Sequence, residues 1–346
     1  MVIDGRVGEG GMGVVWRAWI FRAPGTLGGG PPEPVALKVL RPQAMARPGV
    51  RDLFLREAHA LGRLSHPNVV GFHELFEHEG CLVLAIEYVD GDTLEAIVAR
   101  HVARARLSGA HGLPCMPLLR AWYYFQQLLG ALAATHALRI VHRDVKPSNV
   151  LVRRDGLVKL GDFGIVRFAD APVTAATREL APGTGQYMSP EQVLGQPVDT
   201  PSDLYSAAIV LYEMLTGRTP FSGDRGEFLI RKDQVDAPPP PVRAFLPQAP
   251  PVVDALFARA LAKNAADRFD SAIEMGDAFR TALGLPDTPE WRAQADIASA
   301  ARTLMDTLGP DSSGPPHGEQ NSKMATLREF VAYRYKTVKL TATRSR

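Results

Sequence analysis

The sequence is poor in cysteine, in lysine, in long apolar runs and in net charge. Its 346 residues contain two cysteines, Cys81 and Cys115, too few for a disulfide framework and in no metal-ligand spacing, so two buried thiols in a reducing, cytoplasmic setting are expected. Lys and Arg total 39 against 37 Asp and Glu, a formal charge of +2, which is too even for the whole molecule to bind nucleic acid electrostatically. No stretch approaches the roughly 18 apolar residues of a membrane helix, and Met1 to Gly5 lacks a signal peptide's charged and apolar regions, so no membrane span is expected. Only eight of the basic residues are lysines; a lysine kept where arginine would serve is kept for its chemistry, which singles out Lys38 and Lys146. What is present is ordinary: 46% hydrophobic and 22% charged residues exclude a disordered, collagen-like or coiled-coil chain. The length admits about two or three folding units, or one large bilobed one.

Residues 1 to 20 read as strand, glycine turn, strand: Val2 to Val7, Gly8 to Gly13, then Val14 to Ile20. Ala23 to Pro34 is a breaker-rich surface loop. Val35 to Leu40 is a third strand, apolar on both faces except for Lys38. Phe54, Ala58, Leu61 and Leu64 give Asp52 to Leu64 the spacing of an amphipathic helix, and Glu57 lies on the same stripe, so a carboxylate points inward. Val69 to Phe76 and Leu82 to Tyr88 complete five strands before a turn at Asp90-Gly91. From Leu94 the pattern is helical, interrupted from Ala103 to Pro117, with helices at Leu118 to Ala137, Leu204 to Leu215, Val252 to Lys263 and Ala272 to Leu283. Beyond Pro286 come a helix candidate at Trp291 to Leu308, a linker at Gly309 to Asn321, and a tail with seven basic residues against Glu329 alone. That tail is read as flexible.

Gly8-Glu9-Gly10-Gly11-Met12-Gly13 is a GxGxxG string, and its surroundings decide what it means. A dinucleotide fingerprint needs a helix after it; here a strand follows, with Val15 two residues on and Val35-Ala36-Leu37-Lys38 next, the order of a kinase glycine-rich loop. Lys38 and Glu57 each put a charge on a surface the pattern buries, and pairing them solves both problems. The most specific string is His142-Arg143-Asp144-Val145-Lys146-Pro147-Ser148-Asn149, followed by Leu160-Gly161-Asp162-Phe163-Gly164 and by Ser189-Pro190-Glu191. On these motifs residues 1 to about 284 resemble the eukaryotic-like (Hanks-type) Ser/Thr protein kinase family, its bacterial branch above all.

The resemblance implies an α+β, two-lobed protein kinase fold: a small antiparallel β lobe with one helix at 1–88, a larger, mainly helical lobe at 89–284, and ATP with Mg²⁺ in the cleft. It implies that Asp144 orients the substrate hydroxyl and accepts its proton, that Lys146 balances charge on the phosphoryl group, and that Asn149 and Asp162 hold magnesium. ATP would be held by Gly8, Gly10, Gly13, Val15, Ala36, Lys38 with Glu57, Leu151, and the linker residues Glu87 and Val89, with Ile86 as gatekeeper; that linker also reads simply as a strand end. Leu61, Phe72, His142 and Phe163 match the spine linking the lobes, and equally plain core. Asp203 either anchors the catalytic loop or answers the dipole of its own helix. Glu191 and Arg268 match a family salt bridge, Phe163-Gly164 completes the magnesium motif, and Arg143 is the cation that a phosphate on Thr177, or else Thr174, would engage. The implied partners are protein substrates of unknown identity; the even charge argues against nucleic acid for the kinase domain, and the tail's basic cluster is open to an acidic partner. Two loops, Ala23 to Pro34 and Ala103 to Pro117, look longer than in typical relatives. A kinase-fold binding module without catalysis is disfavoured because Lys38, Asp144, Asn149 and Asp162 are all present. A small-molecule phosphotransferase is disfavoured by Gly183-Thr184 with Ser189-Pro190-Glu191, which resembles a peptide-positioning segment.

Overall fold

A computed structural model of the chain describes residues 1–9, 13–21, 31–40, 42–45, 49–109, 112–162, 184–222 and 226–286. They form two compact units: Met1–Ser65 with Val70–Tyr88, and His66–Val69 with the described residues from Val89 on.

In the first unit, β1 (Val2–Glu9), β2 (Gly13–Ile20), β3 (Glu33–Leu40), β4 (Phe72–His78) and β5 (Cys81–Glu87) form an antiparallel sheet in the order β1-β2-β3-β5-β4. β5 folds back on β4 through Glu79 and Gly80, both left-handed at φ 48 and φ 74, the geometry of a two-residue turn that matches strand twist. Strand alternation sorts the side chains onto two faces. One face buries Ala18, Val35, Leu37, Phe76, Val83 and Ala85 together. The other carries Val15, Ala36 and Lys38, because the β2–β3 register pairs Val15 with Lys38 and Ala36 stands two residues earlier on β3.

Helix α1 (Pro42–Met45) is a single turn that adds to the one helix expected in this unit, and α2 (Val50–Arg63) follows it. The α2 stripe Phe54, Ala58 and Leu61 is buried, with Glu57 among them at 1% exposure. Of the two strands expected after α2, β4 starts three residues late. Val69 instead makes a parallel bridge to Leu160, and the Asn68 amide donates to Gln127 Oε1 and to the Val158 carbonyl; those bonds hold His66–Val69 in the helical unit.

That second unit opens with β6 (Gly91–Thr93), which joins β7 (Val150–Arg153) and β8 (Val158–Leu160) in a three-stranded sheet. Its helices are α3 (Leu94–Ser108), α4 (Leu118–Ala137), α5 (Pro190–Leu194), α6 (Thr200–Thr216), α7 (Gly226–Asp236), α8 (Pro251–Ala260) and α9 (Ala272–Ala282). α6 is buried along nearly all its length because it is apolar all round. Its ends are set by the Asp199 side chain, which accepts the Thr200 N–H, and by Gly217 at φ 75. The floor of the core is aromatic: Phe257 meets Phe279 and Tyr212 edge-on, with centroids 5.1 and 5.4 Å apart.

Two expectations are corrected, and one helix, α7, was not foreseen. α3 runs unbroken past Ala103 to Ser108 and stops at Gly109, φ 61, since Arg104 and Arg106 are good helix formers. α7 is a helix without an apolar stripe, only Ile230 and Gln234 being buried, which is why periodicity concealed it. The two thiols are half-buried rather than buried. Among the described residues no helix is long and apolar enough to cross a membrane.

Candidate active site

In the β unit Gly8, Val15, Ala36 and Lys38 share a face of the sheet, while Glu87 pairs with Val35 on the other. Lys38 Nζ stands 2.8 Å from Glu57 Oε1, the lysine 22% exposed and the carboxylate 2%, so the charges that the sequence pattern buried are partners. Val15 on β2 pairs with Lys38 on β3 and with Gly8 on β1, and Ala36 pairs with Ile86 on β5. Gly13 admits no side chain: a Cβ there would lie 2.3 Å from the Val39 carbonyl oxygen, so β2 and β3 close tightly just where the glycine turn ends. Glu87 ends β5, with its Oε2 accepting the Gly71 N–H at 3.0 Å and its own N–H donating to the Gly71 carbonyl at 2.7 Å. Val89 falls in the helical unit.

In the helical unit Asp144, Lys146 and Asn149 converge. Asn149 Nδ2 donates to Asp144 Oδ2 at 2.9 Å and to its carbonyl at 2.8 Å, and Lys146 Nζ lies 3.1 Å from the same Oδ2. The short turn Pro147–Asn149 sets this spacing. It runs into β7, where Leu151 is the Cα partner of Thr93 and Lys159. The Asn149 carbonyl accepts the Gly161 N–H at 3.0 Å, which brings the chain preceding Asp162 against this loop. Asp162 itself is exposed and left-handed, φ 49.

Asp203, in the first turn of α6, holds the loop from below. Its Oδ2 accepts the His142 N–H and His136 Nε2–H, both at 2.8 Å, and its Oδ1 accepts the Arg143 N–H at 2.7 Å. Burial pushes the Asp203 carboxyl up, and the bonds from His136 and the His142 amide overcome it and hold it below the usual carboxylate range. His142 is wholly buried; its Nδ1 accepts the Asp144 N–H at 3.3 Å and its Nε2 donates to the Gly161 carbonyl at 3.0 Å. Burial keeps this imidazole neutral against the pull of Asp203, the state that both bonds require.

Arg143 is left-handed at φ 68, and its carbonyl accepts Gln192 Nε2–H from α5 at 2.7 Å. Next to Gln192, Glu191 is gripped by Arg268 through two 2.8 Å bonds. The remaining three N–H groups of Arg268 reach the carbonyls of Ala262, Pro201 and Lys263, and its guanidinium lies 4.8 Å over the Tyr205 ring. Burial alone would raise the Glu191 carboxyl; Arg268, with the Ser202 hydroxyl, brings it down to about 2. The turn Thr184–Tyr187 is tied to α6 and α7: the Tyr187 carbonyl accepts from Ser206 and the Gln186 carbonyl from Gln234.

Gln192 and His136 were missed by sequence reasoning. The Ser189-x-x-Gln192 spacing of a helix capping box would have flagged the first; nothing local flags the second. Gly10, Phe163, Gly164, Thr174 and Thr177 lie outside the described residues.

The family model described as Protein kinase domain matches residues 2–272. The serine/threonine-protein kinase PknL of Mycobacterium tuberculosis is 33% identical over 323 residues, covering 91% of this chain and 75% of PknL. The serine/threonine-protein kinase pkn3 of Myxococcus xanthus is 36% identical over 351 residues, covering 94% of this chain and 59% of that relative. Among solved structures the M. tuberculosis PknI kinase domain gives a TM-score of 0.60 at 29% identity, covering 82% of this chain and 95% of the other. The chain belongs to the protein kinase family and has its two-lobed fold, an antiparallel β lobe and a helical lobe. The family's use of ATP and a divalent metal comes with that membership.

Proposed function

We propose that the protein transfers the γ-phosphoryl group of ATP to Ser and Thr hydroxyls of other proteins and of its own activation loop, as a cytoplasmic signalling kinase. The observation that carries this reading is the cluster of Asp144, Lys146 and Asn149 around one carboxylate oxygen, fixed by Asp203 from beneath. Phosphoryl transfer needs placed charge more than covalent chemistry. Asp144 orients the incoming hydroxyl and takes its proton; Lys146, beside it, offsets charge growing on the phosphoryl oxygens. Because the Asn149 nitrogen is committed to Asp144, its amide oxygen is the atom left for a cation. With the Asp162 carboxylate it makes the hard oxygen set that suits Mg²⁺, which when bound neutralises charge on the phosphates. In the β unit Lys38, aligned by Glu57, engages the nucleotide phosphates; Gly8, Gly10 and Gly13 bring backbone N–H groups to them; Val15 and Ala36 offer an apolar face to the base. Leu151, Glu87 and Val89 complete the nucleotide set.

The catalytic unit is residues 1–284, with 285–346 outside it. Thr177, with Thr174 second, is the phosphorylated activator, because a phosphate there gives Arg143 a partner for its charge. The tail's basic charge is what an acidic partner would engage. Incubating the full chain with Mg-ATP and a generic Ser/Thr protein substrate, then mapping phosphosites by mass spectrometry, tests this. Phosphoserine and phosphothreonine on both proteins, absent with Asp144→Asn, are expected. Nucleotide binding without transfer would leave a binding module, and label on small molecules alone would leave a metabolite kinase.

A further inference from the structure

Arg143 holds a backbone state that is unfavourable for any residue with a Cβ, so something must hold it there. Both of its backbone polar groups are gripped. Asp203 accepts its N–H at 2.7 Å, and Gln192 donates to its carbonyl at 2.7 Å from 49 residues further on. Gln192 is 4% exposed, and its amide has only one workable orientation. Its Oε1 accepts the Ser189 N–H at 3.0 Å, and a flipped amide would set donor against donor there and acceptor against acceptor at Arg143. The first turn of α5 has little slack, because the neighbouring Glu191 is bound to Arg268. The residue that follows Arg143 is Asp144.

We infer that Gln192 is a positioning residue for Asp144: its side-chain amide joins the chain leaving the Thr184–Tyr187 turn to the catalytic loop, so that the two are set as one hydrogen-bonded unit. The inference rests on the reading of Asp144 as the proton acceptor. In a buried setting such amide chains polarise and stiffen one another, and a misplacement of about 1 Å at a reacting group can cost on the order of 10²-fold in rate. A residue acting only as a helix cap would influence stability alone.

Gln192→Glu separates the two roles. The new carboxylate is close in shape and still accepts the Ser189 N–H, but presents an oxygen to the Arg143 carbonyl. A fall in kcat of about 10- to 100-fold is expected, with equilibrium affinity for a fluorescent ATP analogue unchanged. As pH falls and the carboxyl gains a proton, it donates an O–H to Arg143, so the ratio of variant to wild-type kcat rises. Gln192→Met, which can never donate, keeps a flat ratio. Wild-type kcat in Gln192→Glu, or a ratio flat with pH in both variants while both melt earlier, overturns the positioning role. Asp144→Asn is assayed in parallel. If it turns over normally, the reading of Asp144 fails and takes the inference with it; if it is inactive while Gln192→Glu is fully active, only the inference falls.

Discussion

The carboxylate of Asp203 and the backbone N–H of Arg143 meet at 2.7 Å across 60 residues of sequence, and the same carboxylate takes two further donors from His142 and His136. An anion receiving three donors in a buried place is strongly stabilised. Asp203→Asn should therefore lose more than a charge, because its amide nitrogen would point one donor at another. A loss of roughly 3–5 kcal/mol is expected, the scale for breaking a buried charged network, with phosphorylation falling in parallel. Urea unfolding followed by tryptophan fluorescence measures the first quantity and peptide phosphorylation the second; stability within about 1 kcal/mol of wild type would show that the loop is held by other means.

Lys38 and Glu57 allow stability and catalysis to be separated. Lys38→Met leaves the Glu57 carboxylate, 1% exposed, without the ammonium 2.8 Å away, so it should both destabilise the fold and lower kcat/KM by at least about 10²-fold. In Lys38→Met/Glu57→Gln the carboxylate is gone as well. Thermal stability should return toward wild type while activity stays lost. Recovery of activity in the double variant would remove Lys38 from the chemistry.

Helix α4 was legible in the sequence from Leu118 to Ala137 at both ends, because a long apolar stripe is a local signal. Asp144, Lys146 and Asn149 were legible because they share one short string, and their contacts span five residues or fewer. Glu57 was legible as a polar interruption of an apolar stripe. Gln192 was not: its partner is 49 residues distant, and a glutamine at that helix position reads as solvated or capping. Nor did spacing alone show that Arg268 would engage five acceptors, three of them carbonyls that only the folded chain collects. α7 hid because Ile230 is its one buried apolar residue, while Phe228 and Leu229 are exposed, so no apolar stripe marks it.

Among the described residues Arg268 is the largest fully buried side chain, and each of its five N–H groups has an acceptor. A lysine has three donors and no planar fork. Arg268→Lys should strand the Glu191 carboxylate on one oxygen and orphan at least one carbonyl, costing roughly 3–5 kcal/mol. Differential scanning calorimetry should show a drop of many degrees. Because α5 carries both Glu191 and Gln192, the surviving folded fraction should also show reduced kcat; a folded Arg268→Lys protein with wild-type kcat would separate the ion pair from the catalytic loop.

Acid should unfold the protein in two stages whose order follows from which groups are shifted. Burial, helped by Lys159, pushes the His66 imidazole down to about 4 from an ordinary value of 6.5, and burial lowers His142 as well. Between those values the unfolded chain binds more protons than the folded one, so stability rises with pH and is lost as pH falls from about 6.5 toward 4. Glu191, brought to about 2 from 4.5, and Asp203, also lowered, are depressed carboxylates. Their contribution is present above the ordinary carboxylate range and is lost as pH falls through it toward about 2. Urea unfolding measured at half-unit steps from pH 7.5 to 3 gives the slope of stability against pH, which counts the protons taken up. In His66→Gln the slope between pH 6.5 and 4 should shrink by up to about one proton, with the slope below pH 4 unchanged. An identical slope in variant and wild type would mean that His66 titrates normally in the folded chain.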